Sequence, residues 1–595
     1  MEKLFEAPPH TFHIPVMGTG YTIDTPLKVA RYGISSVVSL VDDLLLEQMR
    51  LYHSAQAGEP CEEIGGKEED ARARRVTAYL NLLDKLVKRQ SRELQASPFE
   101  PDSEITRYYR LLPDGTPRKT LYEQMRALPG GAEKAALQEK LRALATPGSI
   151  DVNIMSKVDR EVFVNGEKLP IEYTDAVAAL RGYAASTLRS AIVFSAGMNP
   201  RLYGFINQFD DFLPQGQQAP KKRVILKVSD YRSALIQGKY LAKRGVWVSE
   251  YRVESGLNCG GHAFSTQGHL TGPILETFKR ERDGLREELH ALYVKALRDT
   301  ATPAPEDPLP LRVTMQGGVG TAGEDQLLRT HYGVDGTGWA TPFLLVPEVT
   351  NVDEAHLVKL ERASDDDIEL GGGSPFGVLF WRLKESDSEA ARRERIKAGR
   401  PGSACPKGHV RFSTEFTRIP LCTASRAYQK RKLAELEKME DLSAEQHETR
   451  MQAILAKSCI CHDLAGVATK KYGIDTKATP SITCGPNIVN FSQRIGLDAM
   501  VDHIYGRKPA LVNPERPHMF IKELMLYLEN LREEIRQFSL GLSERNEKYF
   551  REFRDNLAHG IAYYKTRAWE LPGSKLEAFD VALEQLDAGE LVLDS

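Results

Sequence analysis

The chain has 595 residues, of which 41% are hydrophobic and 27% charged, and a formal net charge of −3. That balance fits a globular protein of roughly two to four domains and excludes a strongly basic nucleic-acid binder or a disordered chain. No apolar run reaches the ~18 residues that cross a bilayer, and the opening MEKLFEAPPH lacks the basic and apolar regions of a secretory leader, so a cytoplasmic protein with no membrane partner is expected.

Short apolar runs recur along the chain. HIPVM (13–17) leads into a Gly-Thr-Gly turn and a helix from Pro26 to Tyr32, and SVVSL (36–40) follows. Between this run and the third lies an insertion, about 42–147, helical by pattern at 76–90 and 132–144 and broken by Pro-Gly turns. It either caps a site or decorates the periphery. Then come IDVNIM (150–155), SAIVFS (190–195), RVILKV (223–228), GVWVSE (245–250), LRVTMQ (311–316) and VDGTGWA (334–340), with helical stretches at 174–189, 231–243 and 323–331. Eight alternating strand-helix units suit a closed parallel barrel, and an open doubly wound sheet would show the same alternation.

After residue 363 the texture changes. An acidic, glycine-rich joint (364–377) precedes a cysteine-bearing segment at about 400–500 with a long charged helix over 425–457, and amphipathic helices fill 519–560. The reading is of an α/β protein: a (β/α)8 barrel over 1–365 with a large helical insertion after the second strand, a cysteine-bearing extension over 366–500 and a helical C-terminal region over 501–595.

Three glycine-bearing turns each follow a predicted strand: VMGTGYTIDTP (16–26), ESGLNCGGHAF (254–264) and MQGGVGTAGEDQLL (315–328). In a β/α barrel such turns share one mouth. Gly317, Gly318 and Gly320 precede a helix, whose N-terminal amides suit a phosphate dianion; a tight turn is the alternative. The following GTGWATPFL (336–344) favours the phosphate, because the loops after strands seven and eight form the usual barrel phosphate site.

These stretches carry a resemblance. PVMGTGYTIDTPLKVARYGISSVVSL, DVNIM, SGLNCGGHAF and QGGVGTAGEDQLLRTHYGVDGTGWATPFL resemble, in order, the motifs of the nitronate monooxygenase (2-nitropropane dioxygenase) group of FMN-binding TIM barrels, related to the barrel of inosine monophosphate dehydrogenase. The resemblance covers about 10–360 without the insertion. It implies FMN packed on Met17, Gly18 and Thr19, with Asn153, Gly260 and Gly261 nearby, its phosphate on Gly317, Gly318, Gly320 and Thr341, and His262 as active-site histidine. An unperturbed imidazole titrates near 6.5, so His262 suits a base or a hydrogen-bond donor, against a structural histidine at a turn. Lys227, at the end of the fifth run, would stabilise negative charge on reduced flavin or else be an exposed strand-end lysine. The chain departs from the family pattern at Asn258, Cys259 and Ala340.

Of seven cysteines, Cys405, Cys422, Cys459, Cys461 and Cys484 fall in one short window. Clustered thiolates ligate zinc or an iron–sulfur cluster, although the spacing matches no standard template; buried thiols, or a redox pair at 459/461, are the alternatives. The expected function is an FMN-dependent oxidoreductase acting on a small or medium organic substrate, using O2 as a monooxygenase. The alternatives are NAD(P)H in an enoyl-acyl-carrier-protein reductase manner, a flavin/iron–sulfur electron-transfer enzyme, or a non-catalytic barrel serving as a binding module.

Overall fold

A computed structural model of the chain describes residues 8–567, apart from 196, 217, 264–265, 511–512 and 514–515. Residues 568–595 of the expected C-terminal region and Phe264 of the Gly-Gly-His stretch lie outside them. Eight parallel strands close in chain order: β1 (Phe12–Ile14), β2 (Ser35–Ser39), β3 (Ile150–Met155), β4 (Ala191–Ser195), β5 (Arg223–Val228), β6 (Val248–Glu254), β7 (Arg312–Gln316) and β8 (Gly336–Gly338). Phe12 and His13 pair with Thr337 and Gly338, which completes the ring and rules out the open sheet. Each of the eight apolar runs holds one strand. β4 and β5 are nearly continuous apolar stretches because both faces are covered. β1 stops at Ile14 because Pro15 has no amide to donate.

The insertion packs against the outside of the barrel. Its long helix, Ala71–Ala96, buries Val76, Leu80, Leu83 and Val87 at helical spacing. It lies on helices Asp43–Ala57 and Asp175–Ala184. Gly182 permits the approach, since a Cβ there would stand 2.6 Å from the Ala73 carbonyl oxygen. Arg72 and Arg75 both pair with Asp43, at 2.5 and 2.9 Å.

The segment after residue 365 covers the barrel mouth. A hairpin of β9 (Ile368–Gly371) and β10 (Leu379–Leu383) adds to the short strand His262–Ala263, with Phe380 opposite His262. The helix expected over 425–457 is two helices, Arg426–Leu436 and Ala444–Leu455, because Ser443 starts the second with a capping box to Gln446. The C-terminal run is likewise two helices, Met519–Ser539 and Glu547–Arg567. One hydrophobic core joins barrel, insertion and extension: Met17, Leu83, Ile460, Ile482 and Phe520 belong to the same cluster. Glu523 fixes the C-terminal helix to the barrel, accepting hydrogen bonds from the Gly256 amide (2.8 Å), the Thr271 amide (2.9 Å) and the Thr271 hydroxyl (2.6 Å). Among the described residues no helix is long and apolar enough to cross a membrane.

Candidate functional site

A cavity lies at the C-terminal ends of the strands. Its walls come from the turn after β1 (Val16–Thr19) and from Ser39, Asn153, Ser195, Lys227, Arg252 and Gln316 on β2 to β7. Its roof comes from the extension: Phe376, Phe380, His409, Ile460, Cys461 and Leu464. The insertion contributes none of its residues 43–147 to the lining, so the cap is built by the C-terminal half of the chain.

The barrel interior at the floor of the cavity is divided. Val37, Ala191, Val193 and Ile225 form a small apolar cluster on one side. On the other, Arg252 pairs with Glu250 at 2.7 Å, and the Thr314 hydroxyl donates to the same carboxylate at 2.6 Å. Burial works against the Glu250 charge, but Arg252, Arg312 and His13 hold its carboxyl down to about 2. Burial, reinforced by Arg252, pushes His13 down to about 3, so it is a neutral ring at physiological pH.

Both residues expected to carry chemistry face the cavity. Lys227 Nζ sits 2.6 Å from Glu254 Oε2, whose other oxygen accepts from Gln316 Nε2 at 2.7 Å. It is thus a paired cation at the mouth, not an exposed strand-end lysine. His262 Nε2 lies 2.7 Å from Ser374 Oγ, and its ring meets Phe376 and Phe380 edge-on, with centroids at 5.3 and 5.0 Å. Burial, then the charge of Lys227, push it down to about 3. The expectation of a ring titrating near neutrality is therefore corrected: His262 is neutral at pH 7, because its apolar setting rejects the charged form.

The expected cofactor residues divide into two groups. Met17, Gly18, Thr19, Asn153, Gly260 and Gly261 line the cavity. Gly317, Gly318, Gly320 and Thr341 do not, because the chain fills the cradle they would form. The Gly320 and Thr321 amides donate to Glu324 Oε2 at 2.9 and 3.2 Å, and Arg516 pairs with the same carboxylate at 2.6 Å. The Gly485 amide donates to Thr341 Oγ1 at 3.2 Å, and Asn487 Nδ2 donates to the Gly318 carbonyl. A Cβ on Gly260 would stand 2.7 Å from the Thr483 carbonyl oxygen. The glycine corners do converge, and residues 483–487 lie between them.

The five cysteines also divide. Cys484 is fully buried in the main core beneath the roof and stands apart from the others. Cys405, Cys422 and Cys461 share a separate cluster with Val158, Val410 and Ala424, and Cys459 lies within electrostatic reach of Cys405 and Cys461. Cys405 and Cys422 are hydrogen-bonded to each other, and Cys459 is hydrogen-bonded to Ser403. Among the described residues no group of three or more His, Cys, Asp or Glu side chains is placed to hold a metal ion, so the zinc or iron–sulfur ligation expected of these cysteines finds no support.

Sequence reasoning missed Arg252, Gln316 and the whole roof. A signal for the walls was present: Glu250, Arg252 and Glu254 alternate along β6 and so share one face, as Thr314 and Gln316 do on β7. The roof has no such period.

The fold is thus a closed parallel (β/α)8 barrel whose mouth is partly covered by its own C-terminal extension. No protein-family model matches the chain, and no curated protein does. Similar solved structures include the enoyl reductase domain of MlnA from the macrolactin biosynthesis cluster of Bacillus amyloliquefaciens, at 12% identity and a TM-score of 0.35 over 66% of this chain and 86% of that one. Another is nitroalkane oxidase from Streptomyces ansochromogenes, at 10% identity and a TM-score of 0.34 over 85% of this chain and 98% of that one. Likenesses of this size bear on neither activity nor cofactor.

Proposed function

We propose that the chain is an oxidoreductase of the flavin-barrel kind, binding a flavin ring system and a small or medium organic substrate in the roofed mouth. One observation carries this reading: six strand ends and the Val16–Thr19 turn deliver polar groups and bare backbone to one cavity at the barrel mouth. Ligand sites combine an apolar enclosure with a few oriented polar groups in this way. The residues fit a flavin at one end only. Gly18, Gly260 and Gly261 bring side-chain-free backbone to the cavity wall, and Lys227 and Gln316 offer donors to a ring's edge. The phosphate end has no open cradle, because Glu324 and residues 483–487 take those groups.

What the chain's own residues do follows from their geometry. Lys227 Nζ, ion-paired to Glu254, stands at the cavity wall, where a cationic group stabilises negative charge developing on a ligand. Glu254 and Gln316 hold it in place. Neutral His262, fixed by Ser374, Phe376 and Phe380, closes one side and excludes water. A flavin bound there would supply hydride and single-electron chemistry.

The filled cradle favours one second reading, a barrel that has lost flavin and serves as a binding module. The absorption spectrum of the purified full chain, with mass analysis of released cofactor, separates the two. One flavin per chain supports the oxidoreductase; bleaching in the absence of air with NADPH marks the reductase branch, and reoxidation by O2 with a carbon acid the oxygenase branch. A colourless protein that takes up neither FMN nor riboflavin defeats the proposal and leaves the binding module.

A further inference from the structure

The extension brings a second histidine to the mouth. His409 lines the cavity and is 2% exposed. Its Nε2 lies 3.2 Å from Oδ1 of Asp42, which follows β2 at the C-terminal end of the barrel and is equally buried. The same oxygen accepts from the Leu45 amide at 3.1 Å, capping helix Asp43–Ala57, and the other pairs with Lys407 Nζ. Burial works against the Asp42 charge, but Lys407 and His409 hold its carboxyl well below the usual carboxylate range. An ionised carboxylate only accepts hydrogen bonds, so in the neutral ring Nε2 carries the proton and Nδ1 the lone pair. The turn that presents the ring is braced: Arg160 Nη1 donates to the Gly408 carbonyl at 3.2 Å, and Arg411 Nη2 to the Cys405 carbonyl at 3.0 Å.

Two buried polar atoms on residues of the cavity wall have no hydrogen-bond partner among the described residues: His409 Nδ1 and the Thr19 hydroxyl. Buried polar atoms in folded proteins are nearly always paired. One of these accepts a hydrogen, and the other can donate to an oxygen. Lys227 and Arg252, on β5 and β6, line the same cavity, and much of the remaining wall is apolar. A base beside two cations in such a site suits a proton whose departure leaves an anion.

We infer that His409 is the general base of the mouth, that Asp42 is its positioning residue, and that the substrate is a carbon acid, with its hydrogen on the carbon next to a carbonyl group. The inference rests on the mouth taking an organic substrate, and not on its taking a flavin. In the step, the C–H bond breaks, its proton passes to His409 Nδ1, and its electron pair stays on the substrate, shared with the carbonyl oxygen as an enolate. The Thr19 hydroxyl donates to that oxygen, and Lys227 and Arg252 stabilise its charge. No oxidant or reductant is consumed. His262 does not compete as the base, since its Nε2 is held at the Ser374 hydroxyl and burial, then the charge of Lys227, oppose its protonation.

The test is deuterium exchange at carbon, followed by proton NMR, for the full chain in D2O with ethyl 2-methylacetoacetate or cyclohexanone, and with flavin content measured on the same preparation. The expected result is saturable exchange of at least one probe above the buffer rate. His409→Gln should lower its maximal rate by about 100-fold or more, and Asp42→Asn by about tenfold or more, with half-saturation moved by less than about threefold. His409→Gly should regain about tenfold in rate when imidazole is added, which a merely structural histidine would not. Exchange by a colourless protein would keep this inference and defeat the oxidoreductase; a flavin-bearing chain that exchanges neither probe would do the reverse. The inference is overturned equally if folded His409→Gln keeps the wild-type rate, or if imidazole leaves His409→Gly unchanged.

Discussion

The Thr483 hydroxyl donates to the Met17 carbonyl at 3.0 Å, tying the far end of the roof to the first turn of the barrel. This bond, with that of the Gly485 amide to Thr341, places polypeptide where the late loops would otherwise hold a phosphate. FMN and riboflavin should therefore bind with dissociation constants within about tenfold of each other, a spread of ~1.4 kcal/mol. Fluorescence titration checks this. A preference for FMN of a hundredfold or more would show that residues 483–487 move aside for the phosphate.

Gly260 packs on the same segment, with φ +104° and the Thr483 carbonyl 2.7 Å from where a Cβ would stand. Gly260→Ala adds backbone strain and a clash with main chain that cannot swing away, and should cost about 3 kcal/mol of stability. Chemical denaturation measures it, and a loss below about 1 kcal/mol would mean that the roof is not seated on this turn.

His262 sets a pH dependence whose sign follows from its lowered pKa. The unfolded ring takes up a proton near 6.5, while the folded ring resists protonation down to about 3. Its contribution to stability is complete above about 6.5 and is lost as pH falls from there towards 3. His262→Gln should flatten the fall in denaturation midpoint over that window and leave the midpoint above pH 7 less affected. Equal slopes in the two proteins would contradict the buried neutral ring. Activity should show no inflection from this residue between pH 5 and 8.

Glu523 gathers three donors in a fully buried position. Glu523→Ala strands the Gly256 and Thr271 groups and should cost about 3 kcal/mol. Glu529→Ala, exposed on the same helix, should stay within about 0.5 kcal/mol. Similar losses in both variants would refute the anchor.

Much of the barrel could be read from the sequence because its strands announce themselves locally. IDVNIM and RVILKV are strands at their predicted bounds, and the sixth run is displaced only because Val246 and Trp247 are buried just ahead of the strand that begins at Val248. The mouth-facing lysine and glycines followed from strand ends and turns, and Asn153 from the family resemblance. The roof was not legible, since residues such as Thr483 and Ser374 acquire their roles from partners far away in sequence and follow no local period. The neutrality of His262 was hidden for the same reason: its charge is decided by Phe376 and Phe380, more than a hundred residues away.

The backbone pairing of Leu379–Leu383 with His262–Ala263 has an energetic consequence. A ceiling stitched into a sheet is held by main-chain bonds as well as by packing, so lifting this side of the mouth requires strand partners to part, with the free energy of local unfolding and not of a loop swing.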